Sequence, residues 1–346
     1  MAHNITRITL ADGSSKDVYA ESLAGGQRRA WHGLGETTEG AMTVADAMRL
    51  SSVGNLEWVE SPLSTTILGD DGVSTLEVGS HKAITMRNKS TGLLTPVAVV
   101  GKDRKTFQPH ELLEPLDALA GDAGTGIQTF GVLSGRMAFA TVKFPKDFTI
   151  GGDKYEGYIL GHDSMDGTSA FTIRPTLVRV VCNNTLDSAL GMSAGVAKYV
   201  LRHTKFATTP DIQKVRDAIG MVPAMVESFE PVAAQLLQRE MNWGDFTKFS
   251  ARLFGADPGE TSKKGHTLFL NREDSLARLW RAETQASTFR HGSGTAMTAF
   301  QTVAEYACHV QSVRGGKGNE AAARTKRLVG GDVGKIEDRA LALLLS

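Results

Sequence analysis

Four segments rich in β-forming residues follow one another in the middle of the chain, separated only by short turns. They span residues 127–133, 136–144, 154–162 and 169–181. Strands joined by such short connections pair as antiparallel neighbours, because a parallel pair needs a long crossover. Pro175 has no amide hydrogen to donate to a sheet, so the fourth strand is expected to lie at an edge or to carry a bulge there. The pattern therefore predicts an antiparallel β-meander.

Helical periodicity and capping residues surround these strands. Asn183-Asn184-Thr185 is an N-cap sequence for a helix over residues 186–191, expected to lie on one face of the meander. Upstream, the pattern predicts helices at 43–50 and 109–120 and strands at 56–60, 81–87 and 94–101. Downstream, it predicts helices at 211–237 (interrupted at Gly220 and Pro223), 243–254, 276–288, 295–313 and 336–345, with a polar linker at 257–265. The predicted fold class is α+β: an antiparallel β-meander with a β-β-β-α-like core and a mostly helical C-terminal region.

The chain is long enough for more than one structural unit. Residues 1–30 alternate only weakly and contain Gly25-Gly26, so we expect a loosely held N-terminal arm. The predicted division then continues with an α+β domain over 31–208, a helical region over 209–313, and a basic tether with a terminal helix over 314–346.

Positive and negative side chains balance, with 38 Lys plus Arg against 38 Asp plus Glu. No global basic field therefore indicates a nucleic-acid partner, and any polyanion site must come from local sorting of charge. Cys182 and Cys308 have no CxxC spacing, which is typical of a reducing compartment. The polar N-terminus and the lack of a long apolar run predict a soluble cytoplasmic protein with no membrane partner.

Motifs of catalytic and cofactor sites are missing from the sequence. No GxSxG elbow surrounds Ser164 or Ser169, and the glycine pairs match neither the P-loop nor the dinucleotide fingerprint. No set of Cys and His has zinc spacing. The sequence favours a binding protein over an enzyme, without a cofactor or a metal.

Two short motifs admit both a functional and a structural interpretation. Trp31-His32-Gly33-Leu34-Gly35 can stack on a ring ligand, or it can anchor the N-terminal segment around a tight glycine turn. His162, Asp163 and Asp166 have the ligand types of a metal site, but the spacing of a calcium loop is absent. Asx-turn chemistry explains the same residues without an ion. The structural interpretation is preferred for both motifs.

Basic residues are locally concentrated between residues 168 and 206. This stretch contains five Lys or Arg residues and a single acid, Asp187. It also contains the aromatic residues Phe171, Tyr199 and Phe206. Cations that contact phosphates and rings that stack on bases are the components of a single-strand binding site. The predicted nucleic-acid-binding residues are Arg174, Arg179, Lys198, Tyr199, Arg202, His203 and Lys205. The alternative is an ordinary solvated surface above core aromatics.

Strand geometry limits how these cations can combine. Arg174 and Arg179 are separated by an odd number of residues, so on a regular strand they face opposite sides of the sheet. An irregularity at Pro175 is the hypothesis that would realign them. A second basic run, Arg314 to Arg327, lies on the predicted tether and is interpreted as solvated.

Several motifs occur in an order that resembles a known family. They are Trp31-His32-Gly33-Leu34-Gly35, the turn from His162 to Ser169, the run from Thr176 to Leu186, Arg202-His203-Thr204, and Gly294-Thr295 with Ala299-Phe300, Val303, Glu305-Tyr306 and His309. Together they resemble the uncharacterised phage/plasmid-like protein family over roughly residues 30–312. Met297 and Cys308 replace a Trp and an Asp that are common in the family, which lowers the expectation of a metal or catalytic role there. The resemblance implies an origin on a mobile element and expression in the cytoplasm of a bacterial host.

The predicted hairpin, third strand and helix are also similar, at the level of fold pattern, to phage single-strand annealing proteins. The leading hypothesis is a phage-encoded protein that binds or anneals single-stranded DNA in recombination or replication, working as a homo-oligomer. The first alternative is a phage structural or interaction protein without catalytic activity. The second is a metal-dependent nuclease that uses His162, Asp163 and Asp166.

Overall fold

The protein was analysed as a computed structural model. The residues that the structure describes are 5–23, 35–70, 72–143, 147–150, 153–179, 198–207, 210–220, 222–255, 263–285, 294–312, 327 and 332–346. The described strands are β1 (Arg7–Thr9), β2 (Ser15–Asp17), β3 (Tyr19–Ser22), β4 (Glu36–Thr38), β5 (Leu56–Gly69), β6 (Gly72–Asn88), β7 (Leu94–Gly101), β8 (Ile127–Leu133), β9 (Met137–Lys143), β10 (Phe148–Ile150), β11 (Asp153–Ser164), β12 (Phe171–Arg179) and β13 (Tyr199–Leu201).

The described helices are α1 (Val44–Leu50), α2 (Pro109–Ala123), α3 (Ile212–Gly220), α4 (Val222–Gln238), α5 (Trp243–Phe254), α6 (Lys263–Gln285), α7 (Ala296–Glu305) and α8 (Asp332–Leu345). A π-helical turn, Tyr306–Val310, extends α7. The α+β fold class with a helical C-terminal region is therefore confirmed.

The main sheet has eight strands in the order β13-β12-β11-β9-β8-β3-β4, with β10 paired to β11. The meander is confirmed, since β8 pairs with β9, β9 with β11 and β11 with β12, all antiparallel. The β8–β9 turn contains Ser134 and Gly135, both at positive φ (52° and 66°). The Arg136 amide donates to the Leu133 carbonyl at 2.9 Å across these two left-handed residues, a turn geometry whose twist suits paired strands.

Among the residues that the structure describes, the part of β12 that contains Pro175 has a strand partner on one side only. The register of β12 with β11 is continuous from Thr172 to Arg179, and Pro175 is opposite Ile159. The strand β13 pairs with Phe171 to Ile173 and does not reach Pro175. The edge position is thus confirmed. The hypothesis of a realigning irregularity at Pro175 is wrong, because the β11–β12 register has no shift there.

The N-terminal residues 5–23 are not a loosely held arm, and that prediction is wrong for them. The strand β3 lies between β8 and β4, pairing antiparallel with one and parallel with the other. Tyr19 and Ala20 have no solvent exposure. Because β3 is buried on both faces, its sequence lacks the alternation that marks a half-exposed strand.

A smaller sheet contains β5, β6 and β7 in that order. The three strands predicted at 56–60, 81–87 and 94–101 are confirmed, but β5 and β6 are much longer than expected. Their outer parts, Ser64–Gly69 and Gly72–Glu77, pair with each other beyond the reach of β7. The base of this sheet is joined to the main one by Trp58, whose Nε1 donates to the Gly135 carbonyl at 2.8 Å.

Helix boundaries follow local chemistry closely. Thr43 caps α1 in a reciprocal capping box with Asp46, and the predicted 211–237 helix divides into α3 and α4 near Gly220. The helix α6 begins at Lys263, inside the predicted linker and well before the predicted start at residue 276. Polar residues in that segment therefore belong to a helix, so polarity alone did not indicate a loop.

One cluster of buried hydrophobic residues extends from Ile8 to Leu344 and includes both the sheet and the C-terminal helices. A buried hydrogen bond from Gln301 of α7 to the Tyr155 hydroxyl of β11 (2.8 Å) joins the two regions. We call the sheet surface that meets α2 the helix face; Gly161 of β11 lies there, against Leu112 and Leu116. None of the described helices has the length and apolar character needed to cross a membrane.

The contact at Gly161 gives a test of this packing. A Cβ at Gly161 would lie 2.8 Å from Leu116 Cδ1, so Gly161→Ala should lower the free energy of unfolding by about 1–3 kcal/mol. Gly121→Ala is the matched control: Gly121 is exposed near the end of α2, with no atom within 4 Å of the new Cβ, and the change should stabilise by up to about 1 kcal/mol. Urea unfolding measures both, and effects of the same sign would contradict the tight contact.

Candidate nucleic-acid interface

The edge of the main sheet at β12 and β13 brings three of the predicted cations onto one surface. Thr172 is opposite Val200 in the β12–β13 register. Side chains two residues apart share a face, so Arg174, Lys198 and Arg202 all lie on the face opposite to the helix face. Lys198, Val200 and Arg202 are exposed, while Tyr199 and Leu201 between them are half-buried. We call this exposed strip the edge surface.

Lys205 and Phe206, which follow Arg202 closely along the chain, line an open cleft of about 800 Å³. The Phe206 ring is 80% exposed, and the Lys205 ammonium lies 5.0 Å from its centroid. The cleft is lined by these two residues together with Gly79, Ser80, Gly101, Lys102, Asp103, Arg104, His203 and Thr204. An exposed ring beside a cation in a cleft provides both a stacking surface and a phosphate contact.

Lys102 and Arg104 line this cleft and were missed by the sequence reasoning. They belong to the run Lys102-Asp103-Arg104-Lys105, in which three of four residues are basic. That local excess was a usable signal, but the run follows β7 and ends 100 residues before Lys205. Arg104 donates from Nη2 to the Ser164 carbonyl, which fixes it at the end of β11.

His203 was predicted to contact nucleic acid, and this placement is corrected by its burial. Its Nε2 lies 2.6 Å from Asp163 Oδ1, and both side chains are only 2% exposed. Its Nδ1 lies 2.8 Å from the Lys105 carbonyl. A carbonyl only accepts hydrogen bonds, so Nδ1 carries a proton, and a second proton is held between Nε2 and the Asp163 carboxyl group. This buried pair holds the segment of Lys205 against the segment of Lys102.

Burial and ion pairing act in opposite directions on the pKa of Asp163. Burial raises the pKa of its carboxyl group, whereas the hydrogen bond and charge of His203, and then the Arg104 charge, lower it. Burial lowers the pKa of the Arg104 guanidinium, with Asp163 and Asp166 opposing that effect. The base of the cleft is therefore a compact group of opposite charges that neutralise one another.

The predicted aromatic contacts are only partly available. Phe171 is fully buried and packs edge-on against Phe107, with centroids 5.8 Å apart. Tyr199 lies on the helix face and its hydroxyl accepts from the Asp211 amide at 3.1 Å, so its placement beside the cations is wrong. Arg179 occupies the helix face by register, as the odd spacing from Arg174 predicted; the position of its side chain lies outside what the structure describes.

The residues of the metal hypothesis do not converge. Asp163 pairs with His203 on the helix face, and His162, its neighbour on β11, lies on the opposite face. Asp166 accepts from the Thr168 amide at 3.1 Å and from its hydroxyl at 2.6 Å, so the predicted Asx turn is confirmed. Among the described residues, no group of three or more His, Cys, Asp or Glu side chains is arranged to hold a metal.

His162 is a buried histidine next to the edge surface. Burial, and secondarily the charge of Arg174, lowers its pKa from the usual 6.5 to about 4. The ring is therefore neutral near pH 7, and the positive charge of the edge surface comes from Arg174, Lys198 and Arg202 alone.

Other sequence candidates are structural or lie outside the described residues. Outside the described residues lie Trp31 to Leu34, the predicted helix at 186–191 and most of the basic tether. In the late Gly-Thr segment, Thr295 caps α7 reciprocally with Thr298, and Met297 and Cys308 are buried. Arg327 of the tether donates to Gln311 Oε1 at 2.5 Å.

The fold and this surface define an α+β protein with a cationic sheet edge. A search of protein families identifies the group to which it belongs: the chain is a member of the family described as domain of unknown function DUF932, matched over residues 96–329. The matched region contains the meander, the edge surface and the run from Lys102 to Lys105. Neither the curated proteins nor the solved structures gave a match.

The Asp163–His203 pair predicts a large loss of stability when one partner is removed. His203→Phe leaves a buried carboxylate uncompensated and should lower the free energy of unfolding by about 3–5 kcal/mol. The double variant Asp163→Leu/His203→Phe removes both charges and should recover much of that loss. Asp166→Ala, which removes the Asx turn and a charge that acts on Arg104 but leaves the buried pair in place, serves as the mild control. Urea unfolding near pH 7 measures all three variants; a double variant no more stable than His203→Phe would contradict a coupled pair.

His162 predicts a pH dependence of stability. Its folded pKa, about 4, lies below the usual 6.5, so the unfolded chain binds the proton first. The neutral form stabilises the fold above pH 6.5, and this stability, about 3 kcal/mol, is lost as the pH falls from 6.5 toward 4. His162→Gln should flatten that part of the stability profile, whereas the same change at the exposed His110 should not. Urea unfolding at half-unit pH steps measures the difference, and parallel profiles for wild type and His162→Gln would refute the assignment.

Proposed function

We propose that this protein binds single-stranded DNA at the edge surface and the adjoining cleft. The observation that supports this most directly is the gathering of Arg174, Lys198 and Arg202 on one sheet face. Lys205 and Phe206, a few residues further along the chain, line the cleft. No Asp or Glu occurs between residues 198 and 207, so all the charged side chains of this segment are basic.

Each component has a defined chemical role in this proposal. Lys198, Arg202 and Lys205 contact successive phosphates, and Lys102 contributes from the other wall of the cleft. The exposed ring of Phe206 stacks on one base, an interaction that every base can make. The site therefore binds without sequence preference and with a strong dependence on salt.

The biological setting is proposed from the family resemblance. A protein of a mobile element that binds single strands in the bacterial cytoplasm would act in annealing, recombination or replication, and such proteins work as homo-oligomers. A second candidate function is a structural or interaction protein of the same element. It is favoured by the exposed apolar side chains on the outer parts of β5 and β6.

Binding of a labelled oligothymidylate of about 30 nucleotides, followed by fluorescence anisotropy against salt, tests the proposal. Lys198→Ala/Arg202→Ala should weaken binding on the order of tenfold at 0.1 M salt and reduce the salt slope by about 1.4, since single strands give about 0.7 per phosphate contact. Phe206→Ala should weaken binding by about 1–3 kcal/mol through lost stacking and leave the salt slope unchanged.

The matched control is Lys248→Ala/Arg278→Ala, which removes two exposed cations from α5 and α6. It lowers the net charge by the same amount, so it should leave binding unchanged if the edge surface is the site. Equal losses in the two double variants would show binding by net charge alone. No binding of wild type at low salt would refute the function itself.

A further inference from the structure

The outer parts of β5 and β6 form a two-stranded ribbon, Ser64–Gly69 paired with Gly72–Glu77. Four large apolar side chains on it are at least half exposed. By register, Leu68 (81% exposed) and Val73 (68%) lie side by side on one face, and Ile67 and Leu76 lie on the other face. A two-stranded ribbon without a core is marginally stable in water, and a group of exposed apolar side chains usually marks a contact surface. The ribbon is therefore expected to pack against a partner.

The charge of the ribbon restricts what that partner can be. Residues 61–80 contain three acids, Asp70, Asp71 and Glu77, and neither Lys nor Arg. An acidic ribbon repels phosphates, so nucleic acid is a poor partner. A symmetric contact between two ribbons would bring like charges together. The complementary surface must be apolar and basic.

The edge surface of the same chain has these properties. Lys198, Arg202 and Lys205 are exposed, no acid interrupts residues 198–207, and the apolar Val200 (45%) and Phe206 (80%) are exposed beside them. Within the described part of the chain, β13 has a strand partner only on its β12 side. Its other edge can accept an added strand.

The two surfaces do not cover each other within one chain, since both are exposed. Gly79 and Ser80, at the base of the ribbon, line the same cleft as Lys205 and Phe206, and the ribbon turn lies about 25 Å further along the extended strands. We propose that the ribbon tip of one copy docks on the edge surface of a second copy. The apolar residues Leu68 and Val73 pack near Val200 and Phe206, and the acids of the ribbon pair with Lys198 and Arg202.

Such a contact joins two different surfaces, so it is heterologous and builds rings or open chains of copies. The docking does not depend on DNA binding, but it uses the same cations. If the proposed function holds, single-stranded DNA and the ribbon of a neighbouring copy compete for the edge surface.

A charge exchange between the two surfaces, followed by sedimentation velocity at 0.1 M salt, tests the contact. The apparent mass of wild type should exceed the 37.0 kDa of one chain. It should rise with protein concentration and fall at 1 M salt. Asp70→Lys/Glu77→Lys and Lys198→Glu/Arg202→Glu should each raise the dissociation constant of self-association at least tenfold. An equimolar mixture of the two should associate again, because each then presents the charge that the other lacks.

Glu227→Lys/Glu230→Lys on α4 is the matched control and should associate as wild type does. Leu68→Ser/Val73→Ser should also weaken association, which separates apolar packing from charge. A single-chain mass for wild type at every concentration would overturn the proposal, as would unchanged association of Asp70→Lys/Glu77→Lys. Oligothymidylate binding of the same preparations keeps the two ideas separate: wild type that associates but binds no oligonucleotide would refute only the proposed function.

Discussion

The unbroken antiparallel register of β11, β12 and β13 determines which side chains share a surface, and most of the functional argument depends on it. No bulge interrupts β12, so Arg174 and Val200 lie on one face of the sheet. Ile173, Tyr199 and Asp163 lie on the other face. A shift by one residue would exchange the two sets. The register thereby exposes Lys198 and Arg202 and directs Asp163 inward to His203.

The buried Asp163–His203 pair then connects elements that are distant in the sequence. It joins the end of β11 to the segment after β13, and through the Lys105 carbonyl it joins both to the segment after β7. Burial penalises each charge separately, so the two groups are stable inside only as a pair. The consequence for the surface is that Lys102 and Lys205 become opposite walls of one cleft.

Charge on this protein is balanced in total and sorted locally. The ribbon of β5 and β6 is acidic and apolar, the edge surface is basic and partly apolar, and each is exposed in a single chain. A protein with zero net charge can therefore still attract a polyanion at one surface and a second copy of itself at the same surface. If both proposals hold, salt and the concentrations of protein and nucleic acid determine which of the two occupies the edge surface.

The sequence by itself determined the meander, its Ser134-Gly135 turn, the edge position of Pro175, the capped helix after Thr43 and the opposite facing of Arg174 and Arg179. These are consequences of local chemistry and of the two-residue period of a strand. Only the tertiary structure decided that β3 lies inside the sheet, that His203 and Tyr199 face inward, and that the run Lys102 to Lys105 joins the cleft. Those outcomes depend on contacts between residues tens of positions apart, and the alternation of one strand carries no information about which distant segment covers it.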